Sequence, residues 1–248
     1  MTYRIHPSEH ITHRIDKPVF LRLLGEHLKP EALLSDPEDL RIYDGDALSA
    51  YQMLPWIVAL PETLEQAQAV LRLCHQHGVP VVARGAGTGI SGGALPVDNG
   101  VLLSLAKFNR ILKIDPLNRV ARVQPGVRNL AVSQAAAQFG LYYAPDPSSQ
   151  LACTIGGNIA ENSGGPKAVK YGVVRDYVLN LELVLPTGEI IWTGSLVLLG
   201  YYAAEAIRRV EQGVEYVILT LLGGKEQLRR FAREIMPAFA GKHPRQLP

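Results

Sequence analysis

The stretch that decides the fold is Pro80–Pro96, which reads PVVARGAGTGISGGALP. An apolar run typical of a buried strand leads directly into glycines at positions 85, 87, 89, 92 and 93. Because glycine has no side chain, its backbone N–H groups can approach a ligand closely, and a nest of such groups suits phosphate oxygens. The stretch therefore predicts a loop that binds an anion such as a diphosphate.

Two common nucleotide-binding motifs do not explain this loop. The pattern G-x-G-x-x-G occurs at Gly87–Gly92, and Asp115 lies near the spacing of a ribose-binding acid. In the dinucleotide-binding fold, however, a helix must begin at the last glycine to carry the pyrophosphate. Here Gly93–Pro96 follows, and Val101–Leu105 reads as the next strand. The Walker A motif fails because no Gly-Lys-Ser/Thr is present, so the remaining alternative is a plain glycine-rich turn.

A second glycine-rich stretch strengthens the prediction of a ligand site. Residues 145–172 read PDPSSQLACTIGGNIAENSGGPKAVKYG and show no apolar periodicity. A segment this long without secondary structure is more often a binding loop than an idle connection. Two such loops suit an elongated ligand that needs close backbone approach at several points.

Together these stretches resemble a known family. RGAGTGISGG at Arg84–Gly93 and the Pro145–Gly172 pattern are similar to FAD-linked 2-hydroxy-acid oxidoreductases of the vanillyl-alcohol-oxidase type, which include glycolate oxidase and D-lactate dehydrogenase. The similarity runs from about Ile5 to Ser195. It implies an α+β fold: a two-lobed PCMH-type FAD-binding domain over residues 1–195, with lobes of about 1–106 and 107–195 and FAD between them.

The resemblance also implies which residues contact FAD. Those implied to wrap the pyrophosphate are Arg84, Gly85, Ala86, Gly87, Thr88, Gly89, Ser91, Gly92 and Gly93. Those implied to lie beside the flavin or along its ribityl chain are Pro145, Asp146, Pro147, Ser148, Thr154, Gly156, Gly157, Asn158, Ser163 and Gly164, with Tyr171, Gly172 and Val178 closing the ribityl or adenine side. Negative charge collects near N1–C2=O of a reduced flavin, and the amides of the Gly156–Gly157 pair could stabilise it there.

Histidine placement predicts that FAD is held non-covalently. Of the seven histidines, all but His243 precede the first glycine-rich loop, so neither loop carries a histidine that could tether the flavin. We expect His75 and His77 in the solvated last turn of a helix, where cations are favoured. The histidine and cysteine spacings predict no metal site.

Composition excludes several classes of protein. The chain has 248 residues, of which 47% are hydrophobic, and a net charge of +2, which gives no electrostatic footprint for nucleic acid. There is neither a signal-peptide apolar region nor the run of ~18 apolar residues that a membrane span needs, so we expect a cytoplasmic protein. Cys74 and Cys153 are expected to be reduced, with Cys74 in the core.

The periodicity predicts the following elements. Helices are expected at Lys17–Leu28 after an Asp16 cap, Thr63–His77 before a Gly78 cap, and Arg128–Phe139 before Gly140; strands at Ile57–Leu60, Val79–Ala83 and Val101–Leu105; hairpins at Ile111–Asp115 with Arg119–Val123 and at Leu179–Leu185 with Glu189–Thr193. Pro30–Asp46 is interpreted as a polar connection.

Residues 196–248 differ in character and are predicted to form a short αβα tail, with helices at Tyr201–Gln212 and Glu226–Phe239 around a strand at Tyr216–Leu221. The tail faintly resembles the last β/α unit of luciferase-like flavin monooxygenases. One such unit cannot form a barrel, and an unrelated αβα tail is the alternative.

The sequence leaves three functional hypotheses open. Oxidising a 2-hydroxy acid needs a base for the hydroxyl and a cation for the carboxylate. The resemblance implies that these groups come from a later substrate domain, which is missing here, so no catalytic residue is assigned. The chain is either the FAD-binding part of such an oxidoreductase, with possible partner subunits or an electron acceptor, or a FAD-binding module without catalysis of its own, or a site for another diphosphate such as a nucleotide sugar.

Overall fold

The computed structural model describes residues 3–4, 15–193 and 217–219. The strands are β1 Tyr3–Arg4, β2 Leu33–Leu34, β3 Tyr51–Gln52, β4 Ile57–Ala59, β5 Val81–Arg84, β6 Val101–Ser104, β7 Ile111–Asp115, β8 Val120–Val123, β9 Glu182–Val184, β10 Ile190–Trp192 and β11 Val217–Leu219. The helices are α1 Lys17–Gly25, α2 Pro37–Leu40, α3 Leu64–His77, α4 Asn129–Ala136, α5 Ile155–Ala160 and α6 Ala168–Tyr171, with short 3-10 turns at Pro30–Ala32, Arg41–Tyr43, Ala137–Phe139 and Val174–Tyr177. This mixture confirms the predicted α+β class.

The first glycine-rich loop follows strand β5 of a mainly parallel sheet, whose strand order is β2-β4-β6-β5. Strands β4, β6 and β5 are parallel, and β2 joins the edge antiparallel. Every residue of β6 is buried, as expected of a parallel strand that is covered on both faces. Because side chains alternate along a strand, Leu103 packs with Phe20 of α1 and Val70 of α3, whereas Leu102 packs with Leu40 on the opposite face.

Helix α3 is defined by specific residues at both ends. The Thr63 hydroxyl accepts from the Gln66 N–H at 3.3 Å, and the Gln66 side chain accepts from the Thr63 N–H at 3.3 Å. This reciprocal capping box satisfies donors that the first helical turn leaves open. Gly78 ends the helix with a left-handed φ of 67°. The predicted helix is confirmed, and so is the burial of Cys74 on its core face.

The segment Pro30–Asp46 contains more structure than its sequence predicts. Besides two 3-10 turns it holds α2, which Asp36 caps by accepting from the Glu38 N–H at 3.1 Å, and the two-residue strand β2. A strand this short has no detectable alternation, and it exists because its partner β4 offers a free edge. Helix α1 ends at Gly25, earlier than predicted, and Asp16 precedes it without a side-chain cap bond.

The second half of the described chain is built on two hairpins, as predicted. Strands β7 and β8 pair antiparallel, as do β9 and β10. Helices α4 and α5 pack on the first hairpin through Val123, Val132 and Ile155. The turn of the second hairpin contacts the first half, since the Gln68 side chain of α3 donates to the Gly188 carbonyl at 2.6 Å.

One prediction about the second glycine-rich stretch is wrong. Residues 145–172 are not a continuous loop, because they contain α5 and α6. The sequence of α5, IGGNIA, hides the helix because glycine is a poor helix former. Tertiary contacts explain the glycine: the Gly156 N–H donates to the Pro125 carbonyl at 2.8 Å, and a Cβ at Gly156 would lie 2.7 Å from that of Pro125.

The tail is described only at Val217–Leu219, inside the predicted strand. These residues form β11, which pairs antiparallel with β9 and gives the order β10-β9-β11. The helices predicted at Tyr201–Gln212 and Glu226–Phe239 lie outside the described residues. Among the helices that can be described, none is long and apolar enough to cross a membrane.

Strand β9 buries a carboxyl group that lacks a partner. Glu182 is 6% exposed, and its Oε2 has no hydrogen-bond partner within the described residues. Burial raises the pKa of Glu182, while the charge of Arg122 opposes that shift. Since the folded chain then holds the proton more tightly than the unfolded chain, stability declines as pH rises from the unfolded pKa through the folded pKa.

We predict that Glu182→Gln stabilises the protein at pH 7, by on the order of 1 kcal/mol, because it removes a buried charge. The gain should shrink towards pH 4, where the wild-type carboxyl is mostly protonated in both the folded and the unfolded chain. Urea denaturation across this pH range measures the difference. Exposed Glu31→Gln is the control and should change stability little; an equal gain there, or a Glu182→Gln gain that is independent of pH, would contradict the explanation.

Candidate functional site

The two glycine-rich stretches meet at a cavity of about 130 Å³. Helix α5 contributes one wall and the loop after β5 the other. Residues that line the cavity and were predicted from the sequence are Gly85, Ala86, Gly87, Thr88, Gly89, Gly93, Thr154, Gly157, Asn158 and Ser163. Residues that line it and were missed are Ala83, Ala94, Ser149, Cys153, Ala160 and Glu161.

The loop wall is a set of open backbone donors. No helix occurs between Gly85 and Gly100, which agrees with rejecting the dinucleotide-binding motif. The N–H groups from Gly85 to Ala94 donate no hydrogen bond to any acceptor in the described chain. These donors are open to the cavity or to solvent, and an anionic ligand in the cavity could accept from those that face it.

The contact between the two walls depends on Gly85. A Cβ at this position would overlap the hydroxyl oxygen of Thr154. Thr154 is fixed at the start of α5, where the neighbouring Ile155 N–H donates to the Val127 carbonyl at 2.8 Å. Glycine is therefore required here to bring the loop against the helix.

The helix wall carries two buried polar side chains, those of Thr154 and Asn158. Thr154 and Asn158 are 6% and 2% exposed. Within the described residues, Thr154 Oγ1 and Asn158 Nδ2 have no hydrogen-bond partner. A buried donor or acceptor without a partner costs ~1–3 kcal/mol. A hydroxyl, an amide and a row of N–H groups around one narrow cavity fit the diphosphate and polyol of a dinucleotide such as FAD.

Other predicted cofactor residues do not line this cavity. They are Arg84, Ser91, Gly92, Pro145, Asp146, Pro147, Ser148, Gly156, Gly164, Tyr171, Gly172 and Val178. Several of them have structural contacts instead. Asp146 accepts from the Lys167 N–H at 3.0 Å and so joins the two ends of the stretch, and Gly164 faces Val173, whose Cγ1 would lie 3.0 Å from an added Cβ. Contact between these residues and FAD stays a prediction.

Helix α5 also lines a second, larger cavity on its other face. This apolar groove has a volume of about 410 Å³ and includes Ile155, Ile159, Val178 and Leu179. Leu179 is 52% exposed at its rim. Because residues four apart lie on one helix face, Ile155 and Ile159 turn to the groove while Asn158 turns to the glycine-lined cavity.

Tyrosines line the groove, and a lysine lies over the ring of one of them. Tyr142 lines it and meets Tyr171 edge-on at 6.3 Å, and Lys167 Nζ lies 5.6 Å from the Tyr142 ring centre. Tyr143 is buried deeper, and burial raises the pKa of its phenol. Of the residues that the sequence predicts at a cofactor wall, Val178 lines this second cavity and Tyr171 contacts Tyr142, which lines it.

The charge distribution in the glycine-lined cavity is sparse. Of the described residues that line it, Glu161 is acidic and none is Arg, Lys or His. Glu161 Oε1 would lie 3.0 Å from a Cβ at Gly93. The sequence missed Glu161 because it follows Gly157 by one helical turn, and no helix was expected there.

The described histidines lie on other elements. His75 and His77 occupy the last turn of α3, as predicted, and His77 meets the Phe20 ring edge-on at 6.0 Å. Non-covalent attachment of FAD stays a prediction.

A family described as FAD binding domain matches residues 55–194. The chain is 52% identical to glycolate oxidase subunit GlcD of Escherichia coli K12 over 181 residues. These residues make up 73% of this chain and 36% of that protein. It is 48% identical over 153 residues to GlcD of Bacillus subtilis, covering 62% and 33% of the two chains. It is 40% identical over 173 residues to D-lactate dehydrogenase of Anaerostipes hadrus, covering 69% and 36%. The chain thus spans about a third of the length of these relatives.

Solved structures confirm the predicted fold. p-Cresol methylhydroxylase with substrate bound has a TM-score of 0.63 at 25% identity, over 71% of this chain and 35% of that one. Alkyldihydroxyacetonephosphate synthase has a TM-score of 0.67 at 21% identity, over 90% of this chain and 45% of that one. The fold is that of a vanillyl-alcohol-oxidase (PCMH) type FAD-binding domain. The comparisons lend no support to a luciferase-like tail.

We predict that Gly85→Ala weakens FAD binding by about tenfold or more, corresponding to about 1.4 kcal/mol. The added methyl group would push Thr154, and with it α5, away from the loop. Thr154→Ala alone should cost about 1 kcal/mol through loss of the hydroxyl. Titration of the apoprotein with FAD, followed by flavin fluorescence, measures each dissociation constant.

The double variant Gly85→Ala/Thr154→Ala is the matched control. The Thr154 Cβ would lie 3.4 Å from the new methyl group, an ordinary contact, so removing the hydroxyl makes room. Binding should return to the level of Thr154→Ala alone. Additive losses in the double variant would show that Gly85 does not act through Thr154.

Proposed function

We propose, since the chain belongs to the FAD binding domain family, that it is the FAD-binding part of an oxidoreductase that acts on a small 2-hydroxy acid such as glycolate or D-lactate. The observation that carries the proposal is the facing pair of walls: open N–H groups from Gly85 to Gly89 lie opposite Thr154 and Asn158, whose Oγ1 and Nδ2 have no partner within the described residues. The named activities of the relatives, glycolate oxidase and D-lactate dehydrogenase, supply the substrate class.

In this reaction FAD, when bound, supplies the electron acceptor. The flavin would accept the C2 hydrogen of the hydroxy acid as hydride, and a base would be needed for the hydroxyl proton as the acid becomes a 2-oxo acid. In our proposal the backbone of Gly85–Gly89 binds the diphosphate, and Thr154 and Asn158 orient the rest of the cofactor. The division into lobes near Lys107 is part of this proposal, because one cavity wall comes from each side of it.

A second candidate is a FAD-binding module that relies on another polypeptide for its substrate site. A 2-hydroxy acid carboxylate needs a cation, and the described lining of the cavity offers none. The exposed groove beside Leu179 gives further polypeptide an apolar surface to cover. In this second candidate the chain works with partner subunits and passes its electrons to a separate acceptor. If flavin does not bind, the site takes a different diphosphate.

We place the protein in the cytoplasm as part of the same proposal. Cys74 and Cys153 are free and buried among the described residues, as thiols are in a reducing compartment. Burial raises the pKa of the Cys74 thiol, so it stays protonated and unreactive.

We predict that the purified full chain binds FAD and is yellow, and that acid precipitation releases the flavin because neither glycine-rich loop carries a histidine that could tether it. Added anaerobically, glycolate or D-lactate should leave the spectrum unchanged if the substrate site lies on another polypeptide. Visible absorbance before and after each addition measures both points, and Gly85→Ala protein serves as the matched control.

The outcomes separate the candidates. Bleaching by either acid would show that the chain is a complete oxidoreductase and would overturn the second candidate. Yellow protein without bleaching supports the FAD-binding part. Protein that takes up no FAD, even when it is added in excess, would overturn both and favour another diphosphate.

A further inference from the structure

Arg84 occupies an unexpected position for a residue at the start of a diphosphate loop. It does not line the glycine-lined cavity. Its Nη1 donates to the Gly45 carbonyl at 2.6 Å and to the Ala94 carbonyl at 3.3 Å. The guanidinium therefore joins the far end of the loop to the segment that connects β2 with β4.

The same segment holds the middle of the loop. The Ala47 N–H donates to the Gly87 carbonyl at 3.0 Å. The Arg84 guanidinium lies directly against Gly87, where a Cβ would be 2.6 Å from Cζ. Gly87 adopts a φ of 66°, which favours glycine for a second reason. Leu48 completes the contact, since its Cδ2 would lie 3.7 Å from a Cβ at Gly92.

We infer that Tyr43–Leu48, here named the brace, sets the conformation of the diphosphate loop, and that Arg84 is a positioning residue that acts through the loop rather than a phosphate ligand. The inference takes its ligand from the proposed function, but the brace itself can be measured without FAD. The brace also lies before residue 55, where the match to the FAD-binding family begins.

The chemistry of the brace suits a half-buried cation. The Arg84 Cζ lies 5.9 Å from the Tyr43 ring centre. Burial lowers the pKa of Arg84, and the charge of Asp46 opposes the shift. Asp46 in turn accepts from the Leu48 N–H at 2.8 Å, which fixes the brace locally. Arg84 donates to both carbonyls through the same nitrogen, Nη1, while its planar guanidinium lies near the Tyr43 ring.

The first experiment measures hydrogen exchange at the Ala47 amide in FAD-free protein. Arg84→Met removes the donor to the Gly45 and Ala94 carbonyls, so the Gly87 carbonyl should shift and Ala47 should exchange several-fold faster than in wild type. Amides of β6 are the internal control and should keep their protection. Unchanged exchange at Ala47 would overturn the inference, since a pure phosphate ligand has no effect before FAD binds.

The second experiment approaches the loop from the brace side and does not rely on Arg84 variants being folded. Ala47→Pro removes the donor to Gly87, whereas Ala47→Gly keeps it, and neither changes charge. Ala47 does not line the cavity. We expect FAD binding to weaken about tenfold or more in Ala47→Pro and much less in Ala47→Gly. Equal affinities in the two variants would overturn the inference. If wild type binds no FAD, the proposed function fails while the exchange measurement still decides the brace.

Discussion

The site depends on one close contact, that of Gly85 with Thr154. Strand β5 ends at Arg84, so the sheet fixes where Gly85 lies, and the bond from Ile155 to Val127 fixes where Thr154 lies. A side chain at Gly85 would separate the two walls of the cavity. Because this contact joins a loop from the first half of the chain to a helix from the second, both halves must be folded before the cavity exists.

Helix α5 gives this contact its wider consequences. It is only six residues long, yet it turns Asn158 to the glycine-lined cavity and Ile155 and Ile159 to the apolar groove. Isolated helices of this length are unstable, so tertiary contacts must hold it. Gly156 supplies one by packing on Pro125. Glycines in one motif thus have different roles, some opening space for a ligand and others allowing the backbone to pack.

Local signals explain what the sequence predicts well. Helix α3 has an apolar face and a cap at each end, and both hairpins show short apolar runs around turn residues, so neighbours in sequence determine them. Strand β2 and helix α5 depend on β4 and on Pro125, which lie far away in the chain. The site residues divide in the same way, into those with a local sequence signal and those that depend on distant contacts. The glycine loops stand out in sequence, but Glu161 becomes visible only once α5 is known, and no motif reveals that Arg84 faces Gly45.

The charges around the cavity are unevenly distributed. Its described lining includes no cation, so an anion bound there would be held by N–H dipoles of the loop, which Arg84 supports from behind Gly87. Glu161 adds negative charge beside Gly89 and Gly93. An anion is therefore favoured near Gly87 rather than beside Glu161, where a hydroxyl donor would pair with the carboxylate. A diphosphate joined to sugar hydroxyls carries both kinds of group, whereas a simple phosphate satisfies only one end.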